Sequence, residues 1–221
     1  QIPDNNNKIC LQEDLMLNEW GNAAFNVTNT TASQQNFTID ISNFIDINAN
    51  NVFPLERLIL REVVFVESIT SQMVPDALPL LKRNQDGQYQ LTIPAGATAQ
   101  IWLQINGKGL QKPGIYDGVI NISNGKKDEK IHLTLKFWPL TFPEQTTLHG
   151  YNWSYLNWPI LVGKEQEAVE DLMAHYVDTF IIHHPYLPWP TVDNEGNIIS
   201  IDFSKFDQQL EYHRGARMFL L

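Results

Sequence analysis

Apolar and polar residues alternate with period two through much of residues 1–143. Phe37, Ile39 and Ile41 alternate with Thr38, Asp40 and Ser42; Ile101, Leu103 and Ile105 with Trp102 and Gln104; Ile131, Leu133, Leu135 and Phe137 with His132, Thr134 and Lys136. Each set predicts a strand with one buried and one wet face. Further strands are predicted over 23–29, 58–67, 88–93 and 115–123. Turn signals separate them: Asp86-Gly87, Pro94-Ala95-Gly96, Asn106-Gly107, Pro113-Gly114 and Asn124-Gly125. Asn124-Gly125 predicts a two-residue hairpin. Gly118, inside a predicted strand, predicts a bulge or close packing. Trp138-Pro139 and Phe142-Pro143 predict the end of the last strand, because proline cannot donate to a ladder. No amphipathic helix of useful length precedes residue 160. The pattern predicts an antiparallel β-sandwich over 1–143.

The period then changes. Thr147–Asn152 is a short strand candidate. Residues 164–177 predict a helix with Val169, Leu172, Met173 and Tyr176 on one face and Glu165 and Glu167 at its N-terminus. Thr179–His184 predicts a second strand, and a hairpin is expected around Asn194-Glu195-Gly196-Asn197. Ser204 with Asp207 resembles a capping box, opening a helix that runs to about Arg214 with Gly215 as its C′ residue. Arg217–Leu221 begins a third strand. Strand, helix, strand, helix, strand implies parallel pairing with right-handed crossovers. The expected fold is therefore a β-sandwich domain (1–143) followed by the beginning of an α/β (TIM-type) barrel (144–221), its remainder lying beyond Leu221. A complete small α/β lobe is the alternative.

Composition narrows the partners. The 221 residues hold 15 Lys plus Arg against 25 Asp plus Glu, a net charge of −10. That excess of acid argues against nucleic acid and anionic membranes, which need clustered cations. No apolar run approaches the roughly 18 residues of a membrane span. Residues 1–143 carry 11 basic and 14 acidic side chains, and residues 144–221 carry 4 and 11. Cys10, the one cysteine, excludes an intrachain disulfide and any multi-thiolate metal site. Asn5, Asn6 and Asn7 predict a solvated tether, with Cys10 in the same tail. A start at Gln1 instead of Met implies removal of an upstream leader, and with it an extracytoplasmic location, periplasmic, cell-surface or secreted. Asn-X-Ser/Thr triplets at Asn26, Asn29, Asn36, Asn121 and Asn152 are expected by chance in an Asn-rich chain.

Three stretches carry a family resemblance. Residues 58–66 read Leu-Ile-Leu-Arg-Glu-Val-Val-Phe-Val, with Val-Pro-Asp-Ala-Leu-Pro-Leu-Leu at 74–81. Within 93–123 stand Ile-Pro-Ala-Gly, Gln-Ile-Trp-Leu-Gln-Ile and Lys-Pro-Gly-Ile-Tyr-Asp-Gly-Val-Ile-Asn-Ile. Residues 133–143 read Leu-Thr-Leu-Lys-Phe-Trp-Pro-Leu-Thr-Phe-Pro. These phrases resemble the N-terminal sandwich of bacterial glycoside hydrolases of family 123 and their relatives, in which Pro-Gly-X-Tyr-X-Gly precedes a strand and Trp-X-Leu-X-Pro leads into a barrel. The resemblance covers most of residues 20–221. It implies an N-acetylhexosaminidase in which the substrate's own acetamido group attacks the anomeric carbon, with an adjacent Asp-Glu pair orienting the acetamide and acting as general acid. No Asp-Glu pair of this chain fits that position. Asp128-Glu129 is expected in a sandwich loop and Glu13-Asp14 as surface charge near the N-terminus. Asp193 and Glu195 fall in a hairpin. The chain alone is thus expected to be inactive, with no catalytic residue and no cofactor.

Binding residues are expected at the C-terminal ends of the parallel strands. The first end carries Asn152 and Trp153; the second carries His183, His184 and Tyr186, with Trp189 behind. Aromatic faces stack on sugars, and Asn and His bond hydroxyls, so these residues suit a carbohydrate partner. They equally suit packing at the mouth of the domain. Adjacent on a strand, His183 and His184 point to opposite faces and do not chelate one metal. His149 reads as a core histidine. Trp20, Trp102 and Trp138 in the sandwich read as structural. Three readings stay open: a fragment of a glycan-degrading hydrolase, a non-catalytic sandwich that binds glycan or protein, and a relative without hydrolytic chemistry.

Overall fold

The fold is that of a computed structural model of the 221-residue chain, which describes residues 9–144, 147–153 and 156–221. Asn5, Asn6 and Asn7 lie outside the described residues. By internal contacts the chain divides into Gln1–Glu144 and Gln145–Leu221.

The first unit holds strands β1 (Ile9–Leu17), β2 (Trp20–Thr28), β3 (Gln35–Ile41), β4 (Phe44–Asp46), β5 (Val52–Phe53), β6 (Leu58–Glu62), β7 (Val64–Glu67), β8 (Met73–Ala77), β9 (Tyr89–Ile93), β10 (Thr98–Asn106), β11 (Gly114–Ser123) and β12 (Asp128–Thr141). One sheet has the order β1-β12-β11-β3-β9, with β4 paired to β11 and β5 to β4. A second has the order β2-β10-β6, and β7 pairs β8 as a separate hairpin. The inward residues of both sheets meet in one core. Ile101, Leu103 and Ile105 of β10 and Leu60 of β6 join Ile39, Phe44, Ile120 and Leu135 of the other sheet, all fully buried. Phe53, Tyr116 and Phe137 stack in the same core with ring centroids 5.6 to 6.0 Å apart.

The period-two reading thus finds the sandwich, with local corrections. Cys10 is in β1, not in a tail; β1 runs parallel to β12, placing Cys10 opposite His132 on the outer face. β1 mixes Gln12, Glu13 and Asp14 among its apolar residues, which hides it from a simple alternation. Within it, Asp14 is exposed and accepts the Trp138 indole N–H at 2.9 Å. Glu13 is not simple surface charge: partial burial and then Asp14 push its carboxyl above the ordinary range. The predicted strand 58–67 breaks at buried Val63 into β6 and β7. The Asn124-Gly125 turn is a four-residue loop closed by Asn124 N–H donating to the Lys127 carbonyl at 3.2 Å. Asp128-Glu129 begins β12 instead of lying in a loop. Pro139 does not end β12, because a register shift opposite Met16 and Leu17 accommodates Pro139 and Leu140 without a donor.

The second unit holds β13 (Gly150–Asn152), α1 (Glu165–Ala174), β14 (Val177–Ile181), β15 (Pro190–Val192), β16 (Ile198–Ile201), α2 (Ser204–Tyr212) and β17 (Met218–Leu220). β13, β14 and β17 pair in parallel, with Asn152 opposite Phe180 and Phe180 opposite Phe219. Val169 of α1 and Phe180 are fully buried beside Leu156, Leu172 and Phe219. Tyr176 is not on the helix face; it turns the chain out of α1 with a positive φ of 64°. Ser204 is the first helical residue, after Phe203 at the N-cap, and the Asp202 carboxylate one residue earlier accepts the Ser204 N–H at 2.9 Å.

The expected opening of an α/β (TIM-type) barrel is overturned. The protein is nearly all β, 49% strand and 13% helix, with two α-helices among the described residues. The parallel strands form a small sheet of three, and the stretch between β14 and α2 forms its own antiparallel pair, β15 and β16. The alternation of strand and helix along the sequence imitates barrel periodicity. Strands of three to five residues and a hairpin inserted in one crossover give a β-rich structure instead.

His213 closes α2 and is buried at 2% exposure. Its Nδ1–H donates to the Gln209 carbonyl at 2.8 Å, its ring lies 4.4 Å from that of Phe180, and Nε2 has no partner. Protonation would place an N–H against hydrocarbon, so burial holds this imidazole below its ordinary value despite the Gln209 bond. The unfolded chain binds that proton more readily. His213 therefore contributes stability fully above the unfolded value near 6.5, and the contribution is lost as pH falls below it. Urea denaturation at pH 7.5 and pH 5 should show a smaller acid loss for His213→Leu than for wild type. Equal losses would mean that His213 is not carried neutral in the fold.

Candidate functional site

The C-terminal ends of the parallel strands gather the predicted residues. Trp153 follows β13 directly, and His183 lies two residues past β14. Their ladder neighbours Asn152 and Phe180 are in register, and the Ile182 N–H donates to the Leu220 carbonyl at 2.9 Å, so extended backbone continues past β14. Strand alternation puts His183 on the face of Thr179 and Ile181, opposite Phe180, which packs among the helices. The Trp153 and His183 rings meet there, centroids 5.6 Å apart at 55°. His183 is buried at 9% exposure, whereas Trp153 is 60% exposed. One residue anchors the ring and the other presents an indole to solvent.

His184 takes a different path. It opens a 3₁₀ turn, His184–Tyr186, with Pro185 in its first turn. Its exposed ring lies 5.0 Å from that of Trp189, whose indole N–H donates to the His184 carbonyl at 3.1 Å. Trp189 is 59% exposed. Tyr186 is half-buried, and burial, then the neighbouring Tyr212, pushes its phenol above the ordinary range. It therefore stays a neutral hydroxyl at any physiological pH. Asn152 is exposed at the end of β13. The structure thus joins Trp153 to His183 and His184 to Trp189, while Asn152 and Tyr186 stand beside these pairs. Tyr151, which the sequence places with Asn152 and Trp153 at the first strand end, is 65% exposed, and Trp158 is 61% exposed; both add aromatic surface on the segment that carries β13 and leaves it, and no sequence pattern distinguishes Trp158.

The opposite ends of the strands carry an ion cluster that spacing along the chain does not reveal. His149 precedes β13, Asp178 lies in β14 and Arg217 precedes β17. The Asp178 carboxylate lies 2.9 Å from His149 Nδ1 and 3.8 Å from the Arg217 guanidinium. Desolvation works to raise the Asp178 carboxyl, but hydrogen bonds from His149 and Thr179 and both nearby charges outweigh it and hold it below the ordinary range. His149 is thus a half-exposed ion-pair partner, not a core histidine. Each member is the residue before or near the start of a strand, and only parallel pairing brings the three together.

Among the described residues no group of three His, Cys, Asp or Glu side chains is placed to hold a metal ion. Among them, too, no helix is long and apolar enough to cross a membrane.

No family model matches the chain, and no curated protein matches it. Solved structures do. A family 123 glycoside hydrolase from Clostridium perfringens, described in a study of glycolipid glycan hydrolysis, superposes with a TM-score of 0.70 at 15% identity over 94% of this chain. The chain spans 41% of that enzyme's length. A PapD-like domain of human CEP192 matches 60% of this chain and 82% of its own at 6% identity and a TM-score of 0.34. The CooA pilin subunit from enterotoxigenic Escherichia coli matches 58% of this chain and 90% of its own at 10% identity and a TM-score of 0.31. The structure of the chain is therefore similar to part of a family 123 glycoside hydrolase.

Proposed function

We propose that this chain is the sugar-contacting, non-catalytic portion of a glycan-degrading hydrolase of the family 123 kind, located outside the cytoplasm. The observation that carries the reading is the superposition over 94% of the chain. The two units serve in it as separate domains, a sandwich over 1–143 and a smaller unit over 144–221. Trp153 and Trp189 supply stacking faces for sugar C–H surfaces, His183 steadies Trp153 from its buried side, and Asn152 and His184 offer hydrogen bonds to hydroxyls. The family resemblance supplies the chemistry, substrate-assisted cleavage of an N-acetylhexosaminide. Its Asp-Glu pair belongs outside these 221 residues in this reading: Asp128-Glu129 sits on an edge of β12 with Glu129 paired to Lys127, and Glu13-Asp14 is built into β1. Nucleic acid is not a partner in this reading.

The chain should bind immobilised N-acetylhexosaminide glycans without releasing the aryl group from aryl N-acetylhexosaminides. Trp153→Ala and Trp189→Ala should each weaken binding about fivefold, given stacking contributions of roughly 1 kcal/mol per ring. Variants that fold normally and bind as wild type would remove this edge from the glycan site. Absence of binding by the folded wild-type chain would end the reading.

A further inference from the structure

Trp20 and Trp102, each structural when read singly along the chain, share one outer face of the sheet β2-β10-β6. In β2, Gly21, Ala23 and Phe25 are buried, so Trp20, Asn22 and Ala24 point outward. In β10, Ile101, Leu103 and Ile105 are buried, so Trp102, Gln104 and Asn106 point outward. Antiparallel pairing sets Trp20 opposite Asn106, Asn22 opposite Gln104 and Ala24 opposite Trp102. A pair of amides therefore lies between the two indoles. Four residues of strand separate the rows of Trp20 and Trp102, about 13 Å. Both indoles are half-buried and keep area open to solvent, and Asn22 is exposed. Ala24 adds only a methyl group beside Trp102.

The hydrogen bonds of this face engage its amide oxygens and leave its amide donors. The Trp102 indole N–H donates to Asn22 Oδ1 at 2.9 Å. Arg61 of β6 pairs with Trp102 from the other side. Its Nε donates to Gln104 Oε1 at 2.7 Å and its Nη1 to the Leu78 carbonyl at 2.8 Å. Asn22 and Gln104 thus each retain an NH2 group for an oxygen outside the protein. Charge is almost absent here, although the chain carries a net −10. The outward residues of β2, β10 and β6 include no carboxylate, and Arg61, their one cation, is already bonded. An ionic ligand would find no free counter-charge. A saccharide matches the face, with C–H surfaces for the indoles and hydroxyl or acetamido oxygens for the amides.

We infer that the outer face of β2 and β10 is a second saccharide site, in which Trp20 and Trp102 stack on rings of an extended, uncharged oligosaccharide and Asn22 and Gln104 donate to the oxygens between them. The site belongs to the first unit and makes no use of Trp153 or Trp189.

The test is NMR on the isotopically labelled 221-residue chain, titrated with β-1,4-linked oligosaccharides of glucose and of N-acetylglucosamine. At least one of the two should shift the Trp20 and Trp102 indole N–H signals together with the side-chain amides of Asn22 and Gln104. Trp20→Ala and Trp102→Ala should each weaken that binding at least about fivefold. Trp102→Phe, which keeps a stacking ring but loses the bond to Asn22, should retain most of the affinity. Shifts confined to the neighbourhood of Trp153 and Trp189 would overturn this inference and leave the glycan reading of the second unit standing. Alanine variants whose spectra show the native fold and which bind as wild type would overturn it as well. No shift anywhere in the folded protein, with either sugar, would overturn both.

Discussion

Replacing Gly118 by alanine should destabilise the sandwich by about 1–3 kcal/mol, although alanine is intrinsically the better strand residue by roughly 0.5–1 kcal/mol. Gly118 lies within β11, and an added Cβ would stand 2.5 Å from two ring carbons of Phe44 and 2.6 Å from a third. Phe44 is fully buried in β4, which pairs with β11, so its ring has no solvent into which to move. Accommodation requires displacement of β4 or an off-rotamer phenylalanine. For a chain of this size the melting point should fall by about 2–4 °C per kcal/mol. Phe44→Leu in the Gly118→Ala background should recover part of the loss, giving a coupling in a double-mutant cycle that independent sites lack. An unchanged melting point for Gly118→Ala would mean that Phe44 does not cover the strand as described.

Asn29→Ala should cost about 2–4 kcal/mol, through a different mechanism. Asn29 follows β2 and is buried at 1% exposure. Its amide nitrogen donates to the carbonyls of Ser33, Ile93 and Pro94 at 2.8 to 3.0 Å, and its oxygen accepts from the N–H and hydroxyl of Thr31. One side chain thus closes the 29–33 loop on itself and onto the end of β9. Alanine would strand these buried groups without partners. Asn29→Asp, nearly the same shape, should be at least as harmful, because a carboxylate would face three carbonyl oxygens. Urea denaturation of both variants tests this, and a tolerated aspartate would show that the donor is not what matters. The same burial removes Asn29-Thr30-Thr31 from the accessible glycosylation triplets, leaving Asn29 unmodified in a glycosylating host.

Much of this is legible along the chain. Alternation at 37–41, 101–105 and 131–137 locates the strands that carry the core, because a strand with one wet face must repeat every two residues. Gly118 marks a point of close approach, since a strand does not otherwise benefit from glycine. Aromatic residues after the first two parallel strands stand out as candidate sugar contacts. β1 is not legible, because Gln12, Glu13 and Asp14 break the alternation, Asp14 accepting bonds from Gln12 of its own strand and from Trp138 of β12. Nor are β4 and β5, two short strands whose pairing depends on β11.

What the sequence determined by itself is local: which residues turn, which alternate, and which side chains carry chemistry. Tertiary structure decided what meets what. The pairing of β13 with β14 put the Trp153 ring against His183, and the turn after His184 folded Trp189 back onto it. Parallel pairing of three strands joined His149, Asp178 and Arg217. It also decided against the barrel, since the order of strands and helices fixes their direction but not how many strands one sheet collects. Pattern reports each residue's own preference for water or protein. Contacts between distant residues depend on the closure of the whole chain, which no local period encodes.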